Sequence, residues 1–174
     1  MLFNSFLFLA LFLPAVFVGF LIFSKLNRRL AVMWLGAASL VFYMLGSPME
    51  HTLLLLGSIA ANWFFGRAIV SAQQGKKFWL TIAIIFNLSL LGWFKYSLFI
   101  AGILGASDWP AIVLPLGISF YTFTQIAYLV DEYRKPRPYH PTDYFLFVIY
   151  FPHLIAGPIL NHAQTIPQFE DKNT

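Results

Sequence analysis

Six apolar runs separated by short polar connections set the pattern of this chain. They cover residues 2–23, 30–46, 52–70, 78–104, 112–130 and 144–160. A membrane-spanning helix takes ~20 mostly apolar residues, so six spans with short connections fill the length. The pattern predicts an all-α, polytopic helical membrane protein of about six membrane segments, with no room for a soluble domain. The first run has no Lys or Arg ahead of it, while Lys25, Arg28 and Arg29 follow it. A cleaved secretory signal carries its charge ahead of the apolar region. The run therefore reads as an uncleaved span, N-terminus outside, kinked at Pro14. The second run is about the shortest that spans, and gives way to a turn from Ser47 to His51. The third holds Asn62. The fourth is long for one straight span.

Polar connections fix the orientation. Lys25, Arg28 and Arg29 follow the first run, Arg67, Lys76 and Lys77 close the third, and Arg134, Lys135 and Arg137 follow the fifth. Nine of the 11 basic residues thus sit on alternate connections. Basic loops stay in the cytoplasm, which puts these three inside and both termini outside.

The stretch from Leu114 to Pro158 departs from plain hydrophobicity. Leu114-Pro115-Leu116-Gly117 opens one apolar segment, and Phe151-Pro152-His153 and Gly157-Pro158 interrupt the next. Proline removes a backbone donor and breaks the helical ladder, so the freed carbonyls need partners in protein or water. An imidazole at membrane depth is costly unless paired. The stretch predicts an internally satisfied core. The sixth run is either a span or a broken, re-entrant segment, which would return the tail to the cytoplasm. Residues 134–141 form a proline-stiffened loop.

Composition narrows the function classes. Apolar residues make up 59% and charged residues 10%, against about 45–50% and about 25% in soluble domains. A formal charge of +4 in short clusters between apolar runs reads as orientation charge, not as a nucleic-acid surface. The absence of cysteine excludes disulfides, zinc thiolate sites and thiol catalysis within the chain.

Few side chains here carry chemistry. Lys95 stands alone inside an apolar run, ~26 Å along a helix from Phe78. It either snorkels to the outer interface within a belt of Trp93, Phe94 and Tyr96, with residues 97–104 along the surface, or faces an internal channel as a cation for an anionic group. His153 is either a satisfied structural donor or a base needing an acceptor hydroxyl and an orienting partner. Asp131, Glu132 and Arg134 cap or pair at the end of the fifth run. Alternatively, Arg134 and Lys135 meet the phosphates of a ligand, which guanidinium forks suit. His51, His140 and His162 fall in loops or the tail without metal-ligand spacing. Ser119 lacks the second glycine of a nucleophile elbow and reads as a hydrogen bond within or between helices.

Several of these stretches carry a family resemblance. Leu114-Pro115 with Gly117 to Phe123, then Asp131 and Tyr133-Arg134, then Phe151 to Ile159, resemble the N-terminal half of the membrane-bound O-acyltransferases. Leu91 to Tyr96 and the opening Met1 to Ser5 are similar to the bacterial branch that acetylates alginate and related exported polysaccharides. The resemblance implies acyl transfer from a cytoplasmic donor, acetyl-CoA or another acyl carrier, to a hydroxyl of an exported polymer. It further implies a bacterial inner-membrane location and other polymer-modification proteins as partners. Tyr121 and His153 would line the channel wall, and Lys95 would mark its outer rim. The family's catalytic histidine lies in a Trp-His-Gly-like segment, and none of the five tryptophans here is followed by histidine. No catalytic residue and no metal site is assigned. Residues 1–174 read as the N-terminal transmembrane portion of such a domain, inactive alone and exposing Asn87 or His153 to lipid. A small non-enzymatic transporter or scaffold protein stays open as the other reading.

Overall fold

The computed structural model describes residue 6 and residues 8–105, 112–136 and 140–150. Every regular element within them is helical. A π turn at Phe8–Phe12 leads into α1 (Leu13–Leu26), followed by α2 (Arg28–Gly46), α3 (Met49–Ser71), α4 (Lys76–Ile103), α5 (Ile118–Arg134) and α6 (Pro141–Ile149). Four stretches are long and apolar enough to cross a bilayer: Phe8–Leu26, Arg28–Gly46, Met49–Ser71 and Lys76–Ile103. At 17 and 9 residues, α5 and α6 fall short of that measure.

Local chemistry explains where each helix begins. Pro14 has no N–H to return to the preceding turn, so the break expected there takes the form of a π turn, and Pro14 falls in the first turn of α1. Asn27, extended between α1 and α2, accepts the Arg29 N–H on its side chain at 2.9 Å. Pro48 caps α3, and its fixed φ lets the helix start at Met49. His51 is therefore not in a loop but in the first helical turn, nearly buried, edge-on to Phe94 with ring centroids 6.4 Å apart. In α4, 28 residues run ~42 Å at ~1.5 Å per residue, well past the ~30 Å hydrocarbon layer. Residues 97–103 continue this helix instead of forming a separate surface stretch.

The fifth run is only partly helical. Residues 112–115 are non-helical, Leu116 and Gly117 turn with Gly117 at φ 69°, and α5 starts at Ile118. Here the Tyr43 hydroxyl donates to the Leu116 carbonyl at 3.1 Å. A backbone group exposed by the Pro115 break thus finds its partner on α2, as the internally satisfied core requires. Pro152, His153 and the Gly157-Pro158 pair lie outside the described residues, as does His162.

Helices α3, α4 and α5 pack against one another, α6 rests on α2, and α1 pairs with α2. Lipid tails supply no hydrophobic drive for such contacts, so close backbone approach and hydrogen bonds must hold them. The Trp34 indole donates to the Val16 carbonyl at 3.0 Å, and its ring covers Gly19, where a Cβ would collide with it. A Cβ at Gly66 would come within 2.5 Å of the Tyr128 hydroxyl, so α3 and α5 fit only without one. Asn87, expected to face lipid, is fully buried instead.

Gly66→Ala is expected to cost about 1–3 kcal/mol by overpacking this seam, read as a lower midpoint of unfolding in detergent. Gly57→Ala, where nothing lies within 4 Å of the added carbon, is the control and should leave the midpoint unchanged or slightly raised.

Candidate functional site

A buried polar file on α5 is the feature from which a site can be built. Tyr121, Gln125, Tyr128 and Glu132 follow one another at helical spacing and so share a face. All four are buried, Tyr121 and Gln125 completely. From first to last the file covers ~16 Å at ~1.5 Å rise per residue. Thr122 and Thr124 are buried beside it.

At its centre the file joins a network across three helices. The Ser58 hydroxyl donates to Gln125 Oε1 at 2.8 Å, and Asn62 Nδ2 donates to the same oxygen. Asn62 and Asn87 exchange amide hydrogen bonds, at 3.1 Å in one direction and 2.6 Å in the other. Each also donates to its own helix, Asn62 to the Ser58 carbonyl at 2.9 Å and Asn87 to the Ala83 carbonyl at 2.8 Å. These side chains lie ~14–16 Å along their helices from the basic ends, about half of a ~30 Å hydrocarbon layer. Reciprocal pairing is the reason Asn87 meets no lipid.

Beyond this layer the file is not satisfied. Among the described residues the Tyr121 hydroxyl, Thr122 Oγ1, Thr124 Oγ1 and Gln125 Nε2 have no hydrogen-bond partner, and neither do Thr52 Oγ1 on α3 and the Tyr144 hydroxyl on α6. Each such atom costs roughly 1–3 kcal/mol, and buried polar groups are rarely left this way. Four of them within residues 121–125 give α5 an interior surface with spare donors and acceptors.

The ends of the file differ. At one end Lys95, exposed on α4, donates to Ser119 in the first turn of α5 at 3.4 Å, with its ammonium 5.6 Å from the Tyr96 ring. Of the two bonds open to it, within or between helices, Ser119 thus makes the one between helices. Lys95 reaches α5 through this serine, while Tyr121 turns into the core beside Tyr43. At the other end Glu132 is buried, whereas Arg134 and Lys135 are exposed. Nearby, Asp143 opens α6 ahead of its apolar run. Burial pushes the Asp143 carboxyl up from its ordinary range, against the pull of His140, Arg28 and Arg29. The basic start of α2 and the start of α6 therefore share one end of the bundle. His140 caps α6, accepting the Thr142 N–H at 3.5 Å. No group of His, Asp and Glu among the described residues could hold a metal ion.

Sequence reasoning named Lys95, Tyr121, Arg134 and Lys135 but passed over Gln125, Thr122 and Thr124. The missed signal was the spacing 121, 125, 128 and 132, which is a helical period carried by polar residues.

A double-mutant cycle on Asn62→Leu and Asn87→Leu tests the network. Either change alone is expected to destabilise by about 1–3 kcal/mol by orphaning its partner. The double variant should lose less than the sum, with a coupling of about 1–2 kcal/mol, measured by reversible unfolding in mixed micelles.

No family model matches the chain, and no solved structure matches it. Curated relatives do. The chain is 37% identical over 208 residues to the peptidoglycan O-acetyltransferase of Helicobacter pylori, covering 99% of this chain and 39% of that protein. It is 37% identical to the probable alginate O-acetylase AlgI of Pseudomonas aeruginosa and 36% identical to that of Azotobacter vinelandii. Those alignments cover 99% of this chain and 35% and 36% of the relatives. The chain thus spans little more than a third of the length of these relatives. The resemblance seen in the sequence is borne out.

Proposed function

From a chain homologous along nearly its whole length to bacterial O-acetyltransferases, we propose that it forms part of the membrane body of such an enzyme. In this reading it is the N-terminal portion. The observation that carries the reading is the homology across 99% of the chain, and the buried polar face of α5 supports it. An acyl group passes from a cytoplasmic donor, acetyl-CoA or another acyl carrier, to a hydroxyl of an exported polysaccharide such as alginate. Alginate and peptidoglycan, the polymers in the relatives' names, are both carboxylate-bearing glycans, so the acceptor is an anionic polymer. The chain itself holds no counterpart of the family's Trp-His-Gly-like segment. Its contribution is positioning: a wall that presents Tyr121, Thr122 and Gln125, together with His153, to the group in transit. Arg134 and Lys135 mark the donor side, and Lys95 the acceptor side.

In the bilayer the chain makes about six segments, the last of them either a span or a broken, re-entrant segment. The basic connections lie in the cytoplasm of a bacterial inner-membrane protein, with other polymer-modification proteins as neighbours. Single cysteines replacing Lys76 and Arg137 are expected to label from the same, cytoplasmic face; labelling from opposite faces would overturn this topology.

Exchanging this chain for the matching stretch of the P. aeruginosa relative provides the functional test. At equal membrane abundance the chimera is expected to restore polymer acetylation, and a well-expressed chimera with none would sink the reading. Thr122→Val in that chimera removes a hydroxyl that has no partner. The fold should stay as stable or gain stability, while transfer falls about tenfold, the rate equivalent of ~1.4 kcal/mol.

A further inference from the structure

We propose that the second half of α4 is a seam for one further transmembrane helix, supplied by the part of the homologous enzymes that this chain does not match. The proposal rests on the O-acyltransferase reading for the source of that helix and goes beyond it in placing the contact. Ser89, Gly92, Trp93, Ser97, Ala101 and Leu104 line a groove of about 280 Å³. They recur at helical spacing and so form one stripe on α4, ~22 Å long at ~1.5 Å per residue. Four of the six are small, and a Cβ added at Gly92 would meet nothing within 4 Å. Small residues along a membrane helix are where another backbone can come close.

The groove also carries an unmet hydrogen bond. Ser97 is 7% exposed, and among the described residues its hydroxyl has no partner. Elsewhere in the bundle a helical hydroxyl turns back on its own backbone: Ser39 donates to the Leu35 carbonyl at 2.7 Å and Thr81 to the Lys77 carbonyl at 2.8 Å. Ser97 does not, and it lines the groove, so an acceptor on the occupant completes it. Lipid tails carry no acceptor and do not reach the whole groove. Counted from Phe78, the first apolar residue of α4, Leu104 lies ~39 Å along the helix axis. At the ~20° tilt usual for such helices that is ~37 Å of depth, past a ~30 Å hydrocarbon layer, yet Leu104 is 77% exposed. A protein helix covers both ends of the stripe. A second copy of this chain fits less well, because two copies in one membrane share an orientation. A symmetric contact along the stripe would set Trp93 against Trp93 and hold the small residues apart. The relatives have other helices to offer, since this chain matches only 39% and 35% of the length of two of them.

The test uses the chimera in which this chain replaces the matching stretch of the P. aeruginosa relative, with the photo-reactive p-benzoylphenylalanine in place of Ile100 at the groove's edge. Irradiation in native membranes is expected to join position 100 to a peptide from the relative's own portion, identified by mass spectrometry. The same probe in place of Phe99, exposed on α4 outside the stripe, should give no such peptide. Gly92→Leu fills the groove. It is expected to abolish the cross-link and lower the chimera's unfolding midpoint, yet leave the midpoint of this chain alone unchanged or slightly raised. A cross-link from position 100 only to lipid, to a second copy or within this chain would overturn the proposal. So would no cross-link, an equal one from position 99, or one that survives Gly92→Leu. The expected cross-link in a chimera that does not acetylate would overturn only the enzyme reading, and an acetylating chimera without it only the seam.

Discussion

The amide exchange between Asn62 and Asn87 is the interaction on which the rest of the bundle depends. Two asparagines on separate helices would each be a liability in hydrocarbon. Facing one another, each donates and accepts across the gap; Asn87 uses its second N–H on a carbonyl of its own helix, while Asn62 shares its two N–H groups among Asn87, the Ser58 carbonyl and Gln125 Oε1. The pair ties α3 to α4, and Gln125 brings in α5 through the oxygen it shares between Ser58 and Asn62. Shifting α3 by a turn would break every hydrogen bond between helices in this layer, and shifting α4 or α5 would break those that it makes. That penalty fixes a single register where apolar side chains alone would tolerate several.

Small residues complete what the amides begin. Gly66 lets the Tyr128 ring lie against α3, and the same ring packs at a tilt of 40° on Tyr144 of α6 with centroids 4.3 Å apart. Tyr43 closes the opposite end by taking up the Leu116 carbonyl. The hydrogen-bonded layer at mid-depth thus holds α5 rigidly in place, and the turns on its outer side carry the polar atoms without partners. Rigidity at one level makes unsatisfied groups tolerable at the next, which is how a membrane protein keeps a reactive or binding surface from collapsing.

Much of this was legible in the sequence, and the parts that were not share a cause. Run lengths were enough for the four long helices, because bilayer thickness sets them, whereas the fifth and sixth runs yield helices of only 17 and 9 residues. The need to satisfy the Leu-Pro-Leu-Gly break was readable from proline chemistry, although nothing in the sequence pointed to Tyr43. Helix starts were misjudged where proline or glycine resets the backbone: His51 belongs to α3 because of Pro48, and α5 waits for Gly117. Asn87 was read as exposed because a lone polar residue in an apolar run gives no hint of a partner 25 residues away. Pairing across helices is a property of three dimensions, and only the helical spacing of residues 121–132 could have suggested it.

The π turn ahead of Pro14 has an effect on angular alignment. In an unbroken α-helix Phe8 and Val16 would point about 80° apart. A wider turn advances only about 80° per residue, not about 100°, so across Phe8–Phe12 it takes out nearly all of that difference. Phe8 and Val16 end on one side with Phe12, and both phenyl rings reach Phe42, with centroids 5.5 and 5.7 Å away. The distortion that a proline forces on the first helix is therefore also the phase correction that lets that helix present a single seam to its neighbour.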